Sequence, residues 1–252
     1  MQAPSLAIAA PEFLLLLGAV LVAGVVRGFS GFGTAMVFLP IAGRVLDPFT
    51  AIIVLVVMDI FGPLPLVPRA LRDGRMAEVG WLLAAMAVAT PVGLYVLSVA
   101  DPVFFRWAVS ITVLTVLGLL IAGFRHRLPF TPPTLVGTGL VSGILAGVAG
   151  LPGPAVVLLY MSSTRAVEVI RANTLVFLVG TDIVLLAVIA AMGAFELSAL
   201  WIGLALFPPY ALAGLLGQRL FDPAREGLYR RVAFAIVAVA AIQGLPIWDQ
   251  VL

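Results

Sequence analysis

The chain has 252 residues, of which 63% are hydrophobic and 10% charged, with a mean hydropathy of +1.21. A soluble domain carries about 25% charged residues, so soluble enzymes, DNA-binding proteins and secreted scaffolds are excluded in favour of a polytopic membrane protein. There is no cysteine and one histidine, His126, and the 14 basic residues are all arginine, with a net charge of +2. This leaves no basis for disulfides, thiolate metal sites, haem or a nucleic-acid partner, and no cofactor or metal is expected.

The N-terminal stretch MQAPSLAIAAPEF lacks the basic segment of a cleaved signal peptide, so the first apolar run reads as a retained helix. Ten apolar elements follow in order, at roughly 12–29, 34–46, 48–67, 79–99, 103–124, 134–149, 154–163, 171–192, 197–217 and 229–247. A hydrocarbon core about 30 Å thick needs roughly 20 apolar residues per helix. By that measure seven elements can cross, the second and seventh are short, and the sixth is marginal. Gly62-Pro63-Leu64-Pro65 should distort the third element. Arginine counting sets orientation. The loops with Arg69, Arg72 and Arg75, with Arg125 and Arg127, and with Arg219, Arg225, Arg230 and Arg231 are expected in the cytoplasm. The 100–103 and 193–197 loops hold only Asp101 and Glu196 and are expected outside, as are both termini. His126 sits among the loop arginines and reads as a solvated residue.

The chain also reads as two copies of one plan, 1–127 and 128–252. Gly24, Gly28 and Gly31 recur as Gly143, Gly147 and Gly150 after 119 residues, Asp59-Ile60 as Asp182-Ile183 after 123, and Asp101-Pro102 as Asp222-Pro223 after 121. Thr90-Pro91 and Pro208-Pro209 fall at similar depths. The Arg-rich 68–76 loop corresponds to the Arg-free 193–197 loop, and the reverse holds for 100–103 and 218–231. Corresponding loops on opposite sides make an inverted repeat, an architecture of secondary transporters whose site lies between the halves near the midplane. Glycines at spacing four also serve plain helix packing, which is the competing reading of Gly24, Gly28, Gly143 and Gly147.

Two segments interrupt helices at matching places. They are Arg27-Gly28-Phe29-Ser30-Gly31-Phe32-Gly33-Thr34 and Gly147-Val148-Ala149-Gly150-Leu151-Pro152-Gly153-Pro154. Irregular backbone at membrane depth is tolerated only where it is buried in protein or lines a cavity. Short helices are expected to begin near Thr34 and near Pro154, with their positive N-terminal ends directed at one central volume that favours an anion. The substrate-binding candidates are therefore Arg27, Ser30, Gly31, Gly33, Thr34, Gly150, Pro152, Gly153 and Asn173. Arg27 reads as a substrate counter-ion or as an arginine reaching for the interface. Its second-half equivalent is Ala146. Asp59 and Asp182 sit in apolar helices, where low dielectric disfavours a charged carboxylate. They are candidate proton carriers, partners of Arg27, or plain hydrogen-bond acceptors. Thr50 and Asn173, also 123 residues apart, read as helix caps, with substrate hydrogen bonding as a further role for Asn173.

Arg27-Gly28-Phe29-Ser30-Gly31-Phe32-Gly33 followed by Pro40, with the second glycine-rich turn at 147–154, resembles the sulfite exporter TauE/SafE family over nearly the whole chain. Thr34 after Gly33 and Pro152 inside the second turn depart from that family's usual glycine cluster. The resemblance implies an inner-membrane transporter of small sulfur-containing or organic anions such as sulfite, sulfonates or sulfoacetate. The expected partners are that anion and the lipid bilayer, with pairing into a homodimer left open. Two other classes stay in view. One is an anion channel. The other is a membrane-embedded hydrolase using Asp59 and Asp182, although Val179-Gly180-Thr181-Asp182 lacks the Gly-x-Gly-Asp pattern of intramembrane aspartyl proteases.

Overall fold

Apolar runs bounded by glycine and proline become helices throughout. The computed structural model describes residues 10–30, 33–123, 129–161, 163, 165–222 and 225–250. Its helices are α1 (Ala10–Ser30), α2 (Thr34–Ala42), α3 (Pro48–Ile60), α4 (Val67–Asp73), α5 (Met76–Val99), α6 (Pro102–Ile121), α7 (Pro132–Ala149), α8 (Gly153–Met161), α9 (Val167–Ala191), α10 (Leu197–Leu220) and α11 (Glu226–Gly244). No strand occurs among the described residues. His126, Arg125, Arg127 and Gly31 lie outside them.

Among the described residues, seven helices are long and apolar enough to cross a membrane: α1, α5, α6, α7, α9, α10 and most of α11. Only 28–44% of the residues in each apolar window are buried, so most of every span shows apolar surface outward. Val88, Leu14 and Tyr95 are more than three-fifths exposed, a surface that suits lipid tails rather than water. Seven crossings were expected, but their membership shifts. The marginal sixth element, as α7, qualifies at 18 residues. The third does not stay whole. It splits at Phe61–Pro63 into α3 and a 3₁₀ turn leading into α4, bent by 50°, the distortion that Gly62 and Pro63 predict. At nine residues each, α2 and α8 reach only about 14 Å.

The helices form two compact units, each drawing on both halves of the chain. The first comprises Met1–Asp59, Arg106–Leu117 and Phe195–Leu252, and the second Ile60–Phe105 and Gly118–Ala194. In the first, α1 packs against α10 and α2, and α2 also meets α11. In the second, α5 packs against α7 and α9, and α8 meets α7 and α9. α3 is apolar on every side and is buried almost throughout, as such a helix must be.

Glycine decides how closely these helices approach. A Cβ on Gly24 would lie 2.6 Å from the Tyr210 carbonyl oxygen, and one on Gly28 would strike the Gly214 carbonyl. In the second unit, a Cβ on Gly143 would strike the Met86 carbonyl and one on Gly147 would lie 2.5 Å from the Leu94 nitrogen. All four glycines therefore serve α1–α10 and α5–α7 packing, as small residues do in membranes. The helix ends show equally local chemistry. Asp101 caps α6 by accepting from the Val103 N–H at 2.8 Å. Buried Arg106 donates to the carbonyls of Gly244 and Leu245 at 3.2 and 3.4 Å, a cation at the C-terminal end of α11 where the helix dipole favours it.

Candidate functional site

The interruptions are narrower than the sequence suggests. Arg27, Gly28, Phe29 and Ser30 remain helical, because α1 runs through Ser30, and α7 runs through Ala149. The non-helical residues of the second interruption are 150–152, and Gly153 rather than Pro154 opens α8. Gly28 and Gly147 thus belong to helix packing and not to unwound backbone.

In the first unit, Gly33 precedes α2 with φ 101°. That left-handed conformation is costly for any residue with a Cβ, and it sets the direction in which α2 leaves. No side chain caps the N-terminus of α2. Thr34, its first residue, is 2% exposed, and its hydroxyl lies 2.8 Å from that of Tyr210 on α10. The Tyr210 hydroxyl donates to Asp59 Oδ1 at 2.5 Å. With that proton directed at Asp59, Thr34 is the donor to the tyrosine oxygen. The other carboxylate oxygen, Oδ2, accepts from Arg27 Nη1 at 3.4 Å. Of the three roles read for Asp59, partner of Arg27 and hydrogen-bond acceptor are the two seen in the geometry. Charge-assisted N–H···O bonds favour about 2.7–2.9 Å, so this contact with Asp59 is a long one. Both charged side chains keep about a quarter of their surface exposed. Ser30 turns its hydroxyl inward, donating to the Val26 carbonyl at 2.6 Å.

In the second unit, Gly150 ends α7 with φ 65°, and the turn brings the Leu151 N–H to the Leu145 carbonyl at 3.2 Å. The Ser142 hydroxyl, fully buried, donates to the Pro152 carbonyl at 2.5 Å and ties the turn back onto α7. A Cβ added at Gly153 would meet the Leu178 side chain at 3.6 Å, an ordinary contact. Asp182 lies half-buried on α9.

Asn173 belongs to a separate polar cluster in this unit. It is the seventh residue of α9 rather than its cap, and it is fully buried. Its Oδ1 accepts from the Arg75 N–H at 2.7 Å, and its Nδ2 donates to Tyr160 at 2.8 Å and Glu78 at 3.3 Å. Glu78 pairs with Arg165 at 2.6 Å and more distantly with Arg75 at 3.7 Å. The Arg165 guanidinium lies over the Phe130 ring, 5.5 Å from its centre. The other capping expectation also changes. Thr50 is the third residue of α3, and the cap is Asp47, whose carboxylate accepts from the Thr50 N–H at 3.1 Å.

Sequence reasoning did not single out Tyr210, Glu78, Tyr160, Arg165 or Ser142. Tyr210 had a signal. It follows two prolines inside an apolar helix, and prolines deprive the preceding turn of donors, so a polar residue there has unusual neighbours. Glu78 had none, because an acidic residue in the first turn of a helix beside a basic loop reads as an ordinary dipole partner.

The family model for the sulfite exporter TauE/SafE matches residues 16–244. The chain belongs to the TauE/SafE family. Every candidate residue discussed here falls inside that match. No curated protein and no solved structure matches the chain. TauE/SafE proteins are membrane transporters and not enzymes, and the seven apolar spans of this TauE/SafE chain fit that setting.

Proposed function

We propose that the protein is a secondary transporter of small sulfur-containing or organic anions, of the sulfite, sulfonate or sulfoacetate class, working by alternating access in the inner membrane. The observation that carries this reading is Arg27. A cation costs about 2.5–3.5 kcal/mol at the centre of a membrane helix. Here it stands in the last turn of α1, partly open, paired with Asp59 at 3.4 Å and in the same unit as the N-terminus of α2, where Gly33 offers no side-chain cap. Two positive elements with one replaceable carboxylate suit an anion. With Arg27, the residues proposed to bind substrate are Ser30, Gly31, Gly33 and Thr34. On the second unit, Gly150, Pro152, Gly153 and Asn173 are proposed to serve the substrate path, and protonation of Asp59 or Asp182 to supply a coupled proton.

The two sequence halves are read as an inverted repeat, with the Arg-rich loops in the cytoplasm and both termini outside. Each unit charge crossing a potential of about 100 mV is worth about 2.3 kcal/mol, so with the interior negative an uncoupled carrier exports anions, and import needs a co-ion. The test is anion flux in proteoliposomes at a set potential, with and without a pH gradient. Saturable flux with counterflow that collapses in Arg27→Ala supports the reading. Flux of full size in that variant removes Arg27 from the site, and flux without counterflow indicates a channel.

A further inference from the structure

We infer that the Asp59 carboxylate is a built-in stand-in for the transported anion: it occupies the donor set formed by Arg27 and Tyr210, and substrate enters that set only when Asp59 gains a proton and withdraws. This rests on the reading that the first unit's site takes an anion, and it adds what admits that anion to the site.

Asp59 offers one oxygen to Arg27 and the other to Tyr210. A sulfonate, a sulfite or a carboxylate presents two oxygens on one central atom in the same manner, whereas a halide presents a single centre and satisfies one donor at a time. The two halves of the grip differ in tightness. The tyrosine bond is short at 2.5 Å and its oxygen is held from behind by Thr34, so the hydroxyl proton stays directed into the site whoever accepts it. The arginine contact is long at 3.4 Å and partly open, so an incoming solute can reach it. The Glu78–Arg165 pair, at 2.6 Å with a more deeply buried carboxylate, shows what a permanent ion pair looks like in this chain.

The groups facing Asp59 are Arg27 from α1 and Tyr210 from α10, with neutral Thr34 of α2 behind the tyrosine. α3 itself carries no titratable residue other than Asp59. An ionised Asp59 therefore competes with the anion for one guanidinium and one hydroxyl. A proton taken from solution onto the carboxylate leaves it neutral and ends its charge-assisted hold on both donors. One proton is taken up for each anion bound, its bond to water exchanged for the carboxyl O–H bond while the anion's own bonds stay intact, so a monovalent anion and its proton cross together without net charge. Binding linked to proton uptake strengthens as pH falls.

The test is binding of methanesulfonate to the detergent-purified full chain, measured by calorimetry at mildly acidic and mildly alkaline pH. Methanesulfonate stays ionised throughout, so any pH dependence belongs to the protein. The wild type should bind about tenfold or more tightly on the acidic side. Asp59→Asn should bind at alkaline pH at least about tenfold more tightly than the wild type, with a flat pH profile. Tyr210→Phe, which keeps the ring, should weaken binding about tenfold at both pH values, the loss of one hydrogen bond to a charged group. Acetate should compete and chloride should not. Equal affinity and equal pH dependence in all three chains, or competition by chloride as strong as by acetate, overturns the inference while leaving an anion site standing. Absence of binding by every chain at either pH overturns the anion reading beneath it as well.

Discussion

Removing the Glu78 carboxylate tests whether the second-unit cluster is held by charge. In Glu78→Ala, Arg165 loses a 2.6 Å ion pair and Asn173 loses one of its two acceptors, while Asn173 keeps Tyr160 and the Arg75 N–H. Breaking a fully buried pair costs about 3–5 kcal/mol. The Arg165 side chain is 26% exposed and the Glu78 side chain 10%, so the stranded guanidinium rehydrates in part. Its contact with the Phe130 ring, worth about 0.5–1 kcal/mol, survives. The net loss should be about 2–3 kcal/mol, below the fully buried figure for those two reasons. For a chain of this size that corresponds to a fall of about 4–12 °C in melting temperature. The assay is thermal unfolding of the purified chain by tryptophan fluorescence, on Glu78→Ala, Arg165→Ala and the double variant. The double variant should lose clearly less than the sum of the singles. If the single losses add to within about 0.5 kcal/mol, the pair is not coupled and the reasoning fails. The exposed Arg69–Asp73 pair is the internal control, and Asp73→Ala should cost at most about 1 kcal/mol.

The remaining expectations concern backbone and packing. Gly24→Val forces a Cβ to within 2.6 Å of backbone on α10 and should cost about 1–3 kcal/mol by overpacking. Gly18→Ala, with nothing within 4 Å, should melt close to the wild type, and equal melting of the two variants would refute the close-approach account. Gly33→Ala must adopt φ 101°, so its stability should fall by about 1–2 kcal/mol and its anion flux should fall with it. An unchanged melt would show that α2 has another way to start. Ser142→Ala leaves the buried Pro152 carbonyl without its 2.5 Å donor and should lose about 1–3 kcal/mol. Ser142→Thr, which keeps the hydroxyl, separates hydrogen bonding from packing if it melts above the alanine variant.

Much of the helix plan could be read from the chain because lipid imposes it. A span needs a continuous apolar run, and glycine or proline marks its ends, so all the expected elements but the third, which splits, lie within a few residues of helices seen in the structure. The bend after Asp59 followed from Gly62 and Pro63. The glycines themselves were harder to read. Gly28 and Gly33 stand five residues apart in one motif, yet the first fills a helix contact and the second turns the chain. Composition cannot separate those uses, because each needs only the absence of a Cβ. The site was half legible. Arg27, Thr34 and Asp59 were visible as polar residues in apolar surroundings. Their fourth member, Tyr210, lies 151 residues from Asp59, and only the packing of α10 on α1 brings that helix to the site. The same distance hid the Glu78 cluster, whose members belong to α5, α8, α9 and the α8–α9 connection.

The interleaving of the two units has a consequence for biosynthesis. α1 leaves the ribosome long before its main neighbour α10, which does not begin until Leu197. Throughout that interval the glycine-lined seam of α1 must be filled by lipid, by the insertion machinery or by a chaperone. The second unit ends at Ala194, so its own contacts can close while α10 and α11 are still being made. Premature termination before α10 should therefore leave a fragment with one finished unit and one orphaned seam, a species that membrane quality control is equipped to destroy.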